Sequence, residues 1–240
     1  MAWKVGRGLL IVIDYLLTDI QPVFVIAIRT MAKKITSLKV QKRNNQRLNV
    51  YLDGDFTFGL SRYVAAWLHV GQELTEEKIS ELLIEDAQET AYQKSIRFIG
   101  YRMRTNAEVE RHLRKKGIEQ HVISQVIERL EEKGLLNDMN FAQMWIENRS
   151  EFRPRSYRML ASELRHKGIA AEIIQDTMEI TTPEEELAYL AAKKRVRRFE
   201  HLEWQDFKRK LGSYLARRGF SYSVIKPVIE QIWTEKNQES

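Results

Sequence analysis

LRKKGI (113–118), LRHKGI (164–169) and LARRGF (215–220) are three versions of one phrase, each starting 51 positions after the one before. Gly117, Gly168 and Gly219 therefore share a register, and the apolar residues around them keep it. Val109, Leu160 and Leu211 align. So do Leu113, Leu164 and Leu215, then Val122, Ile173 and Val224, then Ile123, Ile174 and Ile225. A motif repeated at constant period is one supersecondary unit stacked on itself. Such arrays favour binding a long partner over enclosing a small substrate.

Reading outward from the first phrase gives the content of a unit. Thr105 is a helix N-cap, and its helix runs to Lys116. Gly117 falls at the position past the helix end where left-handed backbone favours glycine, with Ile118 as the apolar contact beyond it. Val122, Ile123, Val126, Ile127 and Leu130 mark a second helix, closed by Gly134. A third starts near Asn137-Asp138 and carries Phe141, Ala142, Trp145 and Ile146. Ser156 caps the next unit in register with Thr105, and its third helix follows Thr182-Pro183-Glu184, with Pro at the first helical position. The third unit ends after its second helix, near Trp233. There Pro227 costs little if Ser223 is the cap, and predicts a kink if the cap is Ser221, as the register suggests.

The chain ahead of the array reads differently. ITSLKVQ and RLNVYLDGDFTFGL (35–60) alternate as strands, with hairpin turns expected at Asp53-Gly54 and at Asn44-Asn45, giving a three-stranded meander. Ser61 is expected to cap a helix RYVAAWLHV that Gly71 terminates, and Thr75 to cap the next, with Glu76 and Glu77 in its first turn. The apolar stretches 9–13 and 23–28 are interrupted by Asp14, Asp19 and Pro22, which excludes a membrane span of roughly 20 apolar residues. Met31 opens an ordinary soluble start, so 1–30 is expected to lie outside the fold, as a misassigned start or a poorly ordered extension.

The predicted fold class is mainly α: tandem three-helix repeats, three units with the last incomplete, preceded by a small antiparallel β-hairpin module. The expected divisions are an extension 1–30, a β-rich module 31–72, a connecting helical segment 73–100, and repeats 101–152, 153–199 and 200–240.

Composition narrows the function. Without cysteine there are no disulfides, thiolate metal sites or cysteine nucleophiles, which suits a reducing cytoplasm. The five histidines are scattered without HExxH spacing, and there is no GxxxxGK[ST] or GxSxG motif. DGDF (53–56) has the look of a metal-binding carboxylate run, but the hairpin explains it more simply. No catalytic residue, cofactor or metal is expected.

Net charge is +6 with pI about 9.4, which permits anionic partners. Residues 193–219 hold ten Lys/Arg against three acids, whereas 172–186 hold six acids and no Lys or Arg. The trios Arg114-Lys115-Lys116 and Arg165-His166-Lys167, with Arg217-Arg218, recur in the last helical turn. They complement the helix dipole there, and stacking would align them on a ridge facing phosphate or an acidic groove. Candidate partner- or DNA-binding residues are these cations with Arg102, Arg104, Arg149, Arg155, Arg158, Arg209 and Lys210. Trp145, Phe141, Phe207, Tyr214 and Trp233 fit core positions better than base-stacking ones. Tyr101, Tyr157 and Tyr222 fit either.

Several segments together resemble the RecX family of bacterial recombinase regulators, over roughly 35–233. They are YRMR (101–104), E-V-x-x-x-L-x-x-K-G-I (108–118), GLLND (134–138), FAxxW (141–145), Arg149, RPxS (153–156), ELRHKGI (163–169) and KLGSYLARRGFSYSVI (210–225). YLDGDF (51–56) and TEEKI (75–79) resemble the N-terminal module of its longer members, while Ser156 stands where many members have glycine. The resemblance implies a non-enzymatic, monomeric, cytoplasmic protein of DNA repair and the SOS response. It implies binding in the helical groove of RecA–DNA filaments and depression of ATP hydrolysis, strand exchange and coprotease function. The competing readings are a stand-alone nucleic-acid-binding module and a scaffold for another protein. They differ in salt-dependent binding to bare nucleic acid and in any effect on a recombinase.

Overall fold

The computed structural model describes residues 32–238, and the expected extension 1–30 lies outside the described residues. Strands β1 (Lys33–Gln41), β2 (Asn44–Leu52), β3 (Asp55–Ser61) and β4 (Glu73–Leu74) form one antiparallel sheet of order β3-β2-β1-β4. Alternation directs Val50, Leu52, Phe58 and Leu60 to one face, where they meet Ile35, Val64, Leu74, Ile79 and Leu82. Asp53 and Gly54 both take positive φ (51° and 100°), as a two-residue hairpin between right-twisted strands demands.

Three details of this module depart from expectation. The β1–β2 turn is Lys42-Arg43, and Asn44 already pairs with Gln41. Neither turn residue has positive φ, so the turn needs no Asn or Gly and leaves no mark in the composition. The helix expected after Ser61 is one 3₁₀ turn, Val64–Trp67, although Ser61 Oγ does accept from Val64 N (3.2 Å). The chain beyond it is drawn to the free edge of β1: Gly71 N donates to Ile35 O and Ile35 N to Gln72 O, both at 2.8 Å. Those bonds make β4 the fourth strand.

Helix α1 (Glu76–Ile99) starts at the predicted Thr75 cap, whose hydroxyl accepts from Lys78 N. Its first half packs on the sheet through Ile79 and Leu82, its second half on the array through Ala91 and Tyr92. Between them, two buried carboxylates tie the halves together. Asp86 accepts from Arg47 (2.7 Å) and Ser61 N (2.5 Å) on the sheet side. Glu89 accepts from Arg129 (3.0 Å) on the array side.

The remaining helices are α2 (Asn106–Arg114), α3 (Gln120–Glu132), α4 (Asp138–Phe152), α5 (Tyr157–Lys167), α6 (Ala171–Glu179), α7 (Glu184–Val196), α8 (Trp204–Arg217) and α9 (Tyr222–Gln238). The repeat register is the core register. Val109, Leu160, Leu211, Leu113, Leu164 and Leu215 are all fully buried. Helices α1, α4 and α7 pack against α3, α6 and α9 respectively, so α2, α5 and α8 each lie in the chain between the two members of a packed pair. The expected repeats 101–152, 153–199 and 200–240 thus open on the middle helix of each packed triplet. One continuous core joins α4 to α9, from Phe141 through Leu187 to Ile232, and a separate one serves α1–α3.

Two smaller expectations resolve. Pro183 occupies the N-cap of α7, one place before the first helical position. Ser221 O accepts from Val224 N and Ile225 N, so the register cap holds and Pro227 sits in the second turn of α9. Ser223, whose carbonyl loses its helical donor, and Pro227 are both exposed, so that carbonyl faces solvent and the proline costs little there.

Gly117, Gly168 and Gly219 have φ of 74°, 87° and 91°. Each turn is closed by the residue beyond it, since Ile118, Ile169 and Phe220 donate to the carbonyls of Leu113, Leu164 and Leu215. Two of these turns also form the junctions between units. Thr105 Oγ1 donates to Lys167 O (2.7 Å), and Ser156 N donates to Arg218 O (3.1 Å). A Cβ on Gly168 would come within 2.3 Å of Ala107 Cβ, and one on Gly219 within 2.4 Å of Ser156 Oγ, whereas Gly117 has nothing within 4 Å. Alanine should therefore be graded in cost by position. Gly117→Ala pays only the left-handed backbone, about 1–2 kcal/mol. Gly168→Ala meets a short, rigid neighbour and should lose about 2–4 kcal/mol, with Gly219→Ala between because the Ser156 hydroxyl can rotate and Met159 can swing aside. Urea unfolding of the three variants checks the order.

Candidate functional site

The predicted cations are sorted by the acids they meet. Helix α5 and the turn ending α8 face one another across the second junction, and α4 closes one side. Together they bound an open groove of about 830 Å³ lined by Arg149, Arg155, Arg158, Lys167 and Arg217, with Trp145, Met159, His166 and Gly219. Its one acid is Glu163, a half-buried hub that accepts from Trp145 Nε1 (2.9 Å), Arg149 Nε (2.7 Å) and Arg155 (2.5 Å). Arg149 and Lys167 also lie over the Trp145 ring, at 4.4 and 5.1 Å from its centroid. Glu163 therefore fixes two guanidinium groups in place while cancelling only part of the groove's charge. Arg158 and Arg217 are exposed and make no hydrogen bond or ion pair to a described side chain.

The second hub is Glu108, on α2. Lys167 reaches it from the next unit (2.9 Å), joined by Arg102 (3.1 Å) and Arg104 (3.8 Å). Burial pushes the Glu108 carboxyl up, but the hydrogen bonds from Lys167 and Arg102, with their positive charge, outweigh it and hold it below its ordinary value. Arg104 also lies 3.9 Å over the Phe98 ring, whose other partner is His112, stacked at 4.0 Å. Burial, then Lys116, Arg104, Lys94 and Lys115, lower the His112 pKa.

The other candidates lie elsewhere. Arg114 pairs with Glu110 and donates to Gln120, and Lys115 and Lys116 project from the exposed end of α2. Arg165 Nε bonds its own helix at Ala161 O (3.2 Å). Arg209 pairs with Asp206 (2.6 Å) beside an apolar cleft between α8 and α9, and Lys210 is exposed. Arg218 donates to Pro154 O (3.2 Å) and covers Tyr214 at 5.1 Å, so it closes the junction. The structure thus gathers Arg149, Arg155, Arg158, Lys167 and Arg217, and leaves the trio on α2 apart from them. Phe141 and Phe207 are buried, with Trp145, Tyr214 and Trp233 packed against the same core. Tyr157 donates to Thr182 O (2.8 Å), whereas Tyr101 and Tyr222 are exposed.

The chain and its fold resemble known proteins. Four family descriptions match in order: the regulatory protein RecX N-terminal domain over 33–75, and the RecX first, second and third three-helix domains over 91–130, 137–178 and 183–229. The regulatory protein RecX of Bacillus cytotoxicus is 31% identical over 211 residues, covering 85% of this chain and 78% of the relative. The chain belongs to the RecX family. The regulatory protein RecX of Bacillus subtilis is 30% identical, over 86% of this chain and 80% of its own. A crystal structure of a regulatory protein RecX superposes with a TM-score of 0.65 at 27% identity, covering 82% of this chain and 99% of that one. RecX from Lactobacillus salivarius gives 0.55 at 27% identity, over 61% and 97%. Among the described residues of this RecX-family chain, no helix is long and apolar enough to cross a membrane.

Sequence reasoning missed both carboxylate hubs. Glu108 stands three residues after Thr105, a capping-box spacing that would have singled it out. Glu163 has no counterpart in register, since its equivalent position in the first unit is His112. Glu108 yields a pH test. Its folded pKa is depressed, so its stabilising contribution is complete above the ordinary value of 4.5 and is lost as pH falls through the lower folded value. Glu108→Gln should destabilise by about 1–2 kcal/mol at neutral pH. The gap from the unaltered protein should shrink steadily below about pH 4.5, as urea unfolding across that range would show.

Proposed function

We propose that this chain regulates the RecA recombinase by lying in the helical groove of RecA–DNA filaments, with the cationic groove between its second and third units as a principal contact. The observation that carries this reading is the convergence of Arg149, Arg155, Arg158, Lys167 and Arg217 around a single acid, in a member of a family of regulatory proteins. Such a surface suits phosphate or an acidic protein face, and the tandem stack provides the length to touch more than one protomer of a polymer. In this reading the protein acts as a monomer in the cytoplasm, without catalysis of its own. It slows ATP hydrolysis, strand exchange and coprotease function by occupying the groove, which places it in DNA repair and the SOS response.

The deciding measurement is ATP turnover by the cognate RecA on single-stranded DNA, with and without this protein. Turnover should fall as the protein is added, and unchanged turnover at saturation overturns the proposal. Arg158→Glu with Arg217→Glu should weaken the effect roughly tenfold without unfolding the chain, because both side chains are exposed and unpaired. Thermal melting of the double variant gives the folding control.

A further inference from the structure

A second cationic surface lies where the β module meets the first helix of the first unit. Between one end of β2 and β3 and the second half of α1 runs a groove of about 460 Å³. Its lining includes Arg47, Arg62, Tyr63, Glu89, Lys94 and Arg97. Its acid is already engaged, because Glu89 is buried and accepts from Arg129 and Gln93. Arg47 is also committed, to Asp86, Thr90 and Gly59 O. That leaves Arg62, Lys94 and Arg97, which make no hydrogen bond or ion pair through their side chains to a described residue. Three cations with no carboxylate to answer them line one groove.

The aromatic residues there point the same way. Tyr63 lines the groove, is 66% exposed, and its ring and hydroxyl have no partner among the described residues. Trp67, on the same 3₁₀ turn, is 88% exposed. The fold does not use these rings: its core is complete with Val64 and Ala65, which the turn sends inward. Exposed aromatic faces beside unpaired cations are what a single nucleic-acid strand needs. The cations follow the phosphates, and the ring takes the face of an unstacked base.

We propose that the groove between the β module and α1 binds single-stranded DNA, with Arg62, Lys94 and Arg97 on consecutive phosphates and Tyr63 stacked on a base. The site is separate from the α5–α8 groove. It depends on the recombinase reading only for the choice of DNA over RNA.

The test needs no recombinase, so its failure is distinguishable from failure of that reading. Anisotropy titration of the full chain uses a labelled oligo-dT of roughly 20 nucleotides, longer than one strand-binding site. The chain should bind, and the triple variant R62A/K94A/R97A should lower the log–log salt slope by about 2, as three phosphate contacts to a single strand require. Y63A should weaken binding about tenfold. Lys133→Ala, at an exposed cation outside both grooves, should retain the oligonucleotide affinity that the triple variant loses. Cross-linking of the unaltered protein to a bromodeoxyuridine oligomer should map to the peptide containing Tyr63. The proposal is overturned by absence of binding at low salt, by an unchanged slope in the triple variant, or by cross-links confined to α5 and α8. A duplex of the same length binding as tightly overturns the stacking role of Tyr63. Tighter binding of oligo-rU overturns the choice of DNA.

Discussion

The array depends on how closely two backbones can approach at a left-handed turn. A helix must end before the next unit can begin, and its last carbonyls must find donors. In this chain the ending turn and the junction are one object. The residue before Gly168 offers its carbonyl to Thr105, and the residue before Gly219 offers its own to Ser156. A side chain at either glycine would occupy the space where the neighbouring unit's capped helix starts. The same constraint explains why Gly117 stands open: it ends α2, in the first unit, and no earlier unit is there to press against it. Glycine persists at that position for its backbone geometry alone.

The junctions then decide what the charges do. A basic chain with many cations looks, residue by residue, like a broad anionic-partner surface. Folding spends many of them internally. Glu108 gathers cations from two units and ties the first junction, while Glu163 braces two arginines beside the second. Half-buried ion pairs of this kind gain specificity of arrangement more than net stability, because desolvation offsets much of the attraction. What they leave over is selective: a few unpaired cations at the second junction, and a separate group beside the β module.

The helix α1 connects the β module to the first unit physically. Its outer half belongs to the sheet core and its inner half to the first unit. Asp86 and Glu89, one turn apart, each hold an arginine from a different side. The β module is therefore seated on the array through a rigid helix and charged struts, and its groove keeps a defined position relative to the first unit.

Much of this was legible in the chain itself. The 51-residue register predicted most of the buried positions, the glycine-ended turns and the Thr105 and Ser156 caps, because these are local demands that each residue meets with its own neighbours, while α8 starts at Trp204 with no side-chain cap in register. The Asp53-Gly54 turn was legible for the same reason, while Lys42-Arg43 was not, since its backbone stays in regions open to any residue. The fourth strand was hidden because residues 73–74 become a strand only when the edge of β1 is present to bond them. The sites were legible only as a list of cations. Which of them meet an acid is settled by contacts between Lys167 and Glu108, or Arg149 and Glu163, that span up to 59 positions of chain. Sequence by itself determined the repeat, its core and its left-handed glycines, since those follow from periodicity and backbone sterics. Tertiary structure alone decided which charges cancel and which remain to meet a partner, because electrostatic pairing depends on distance through space.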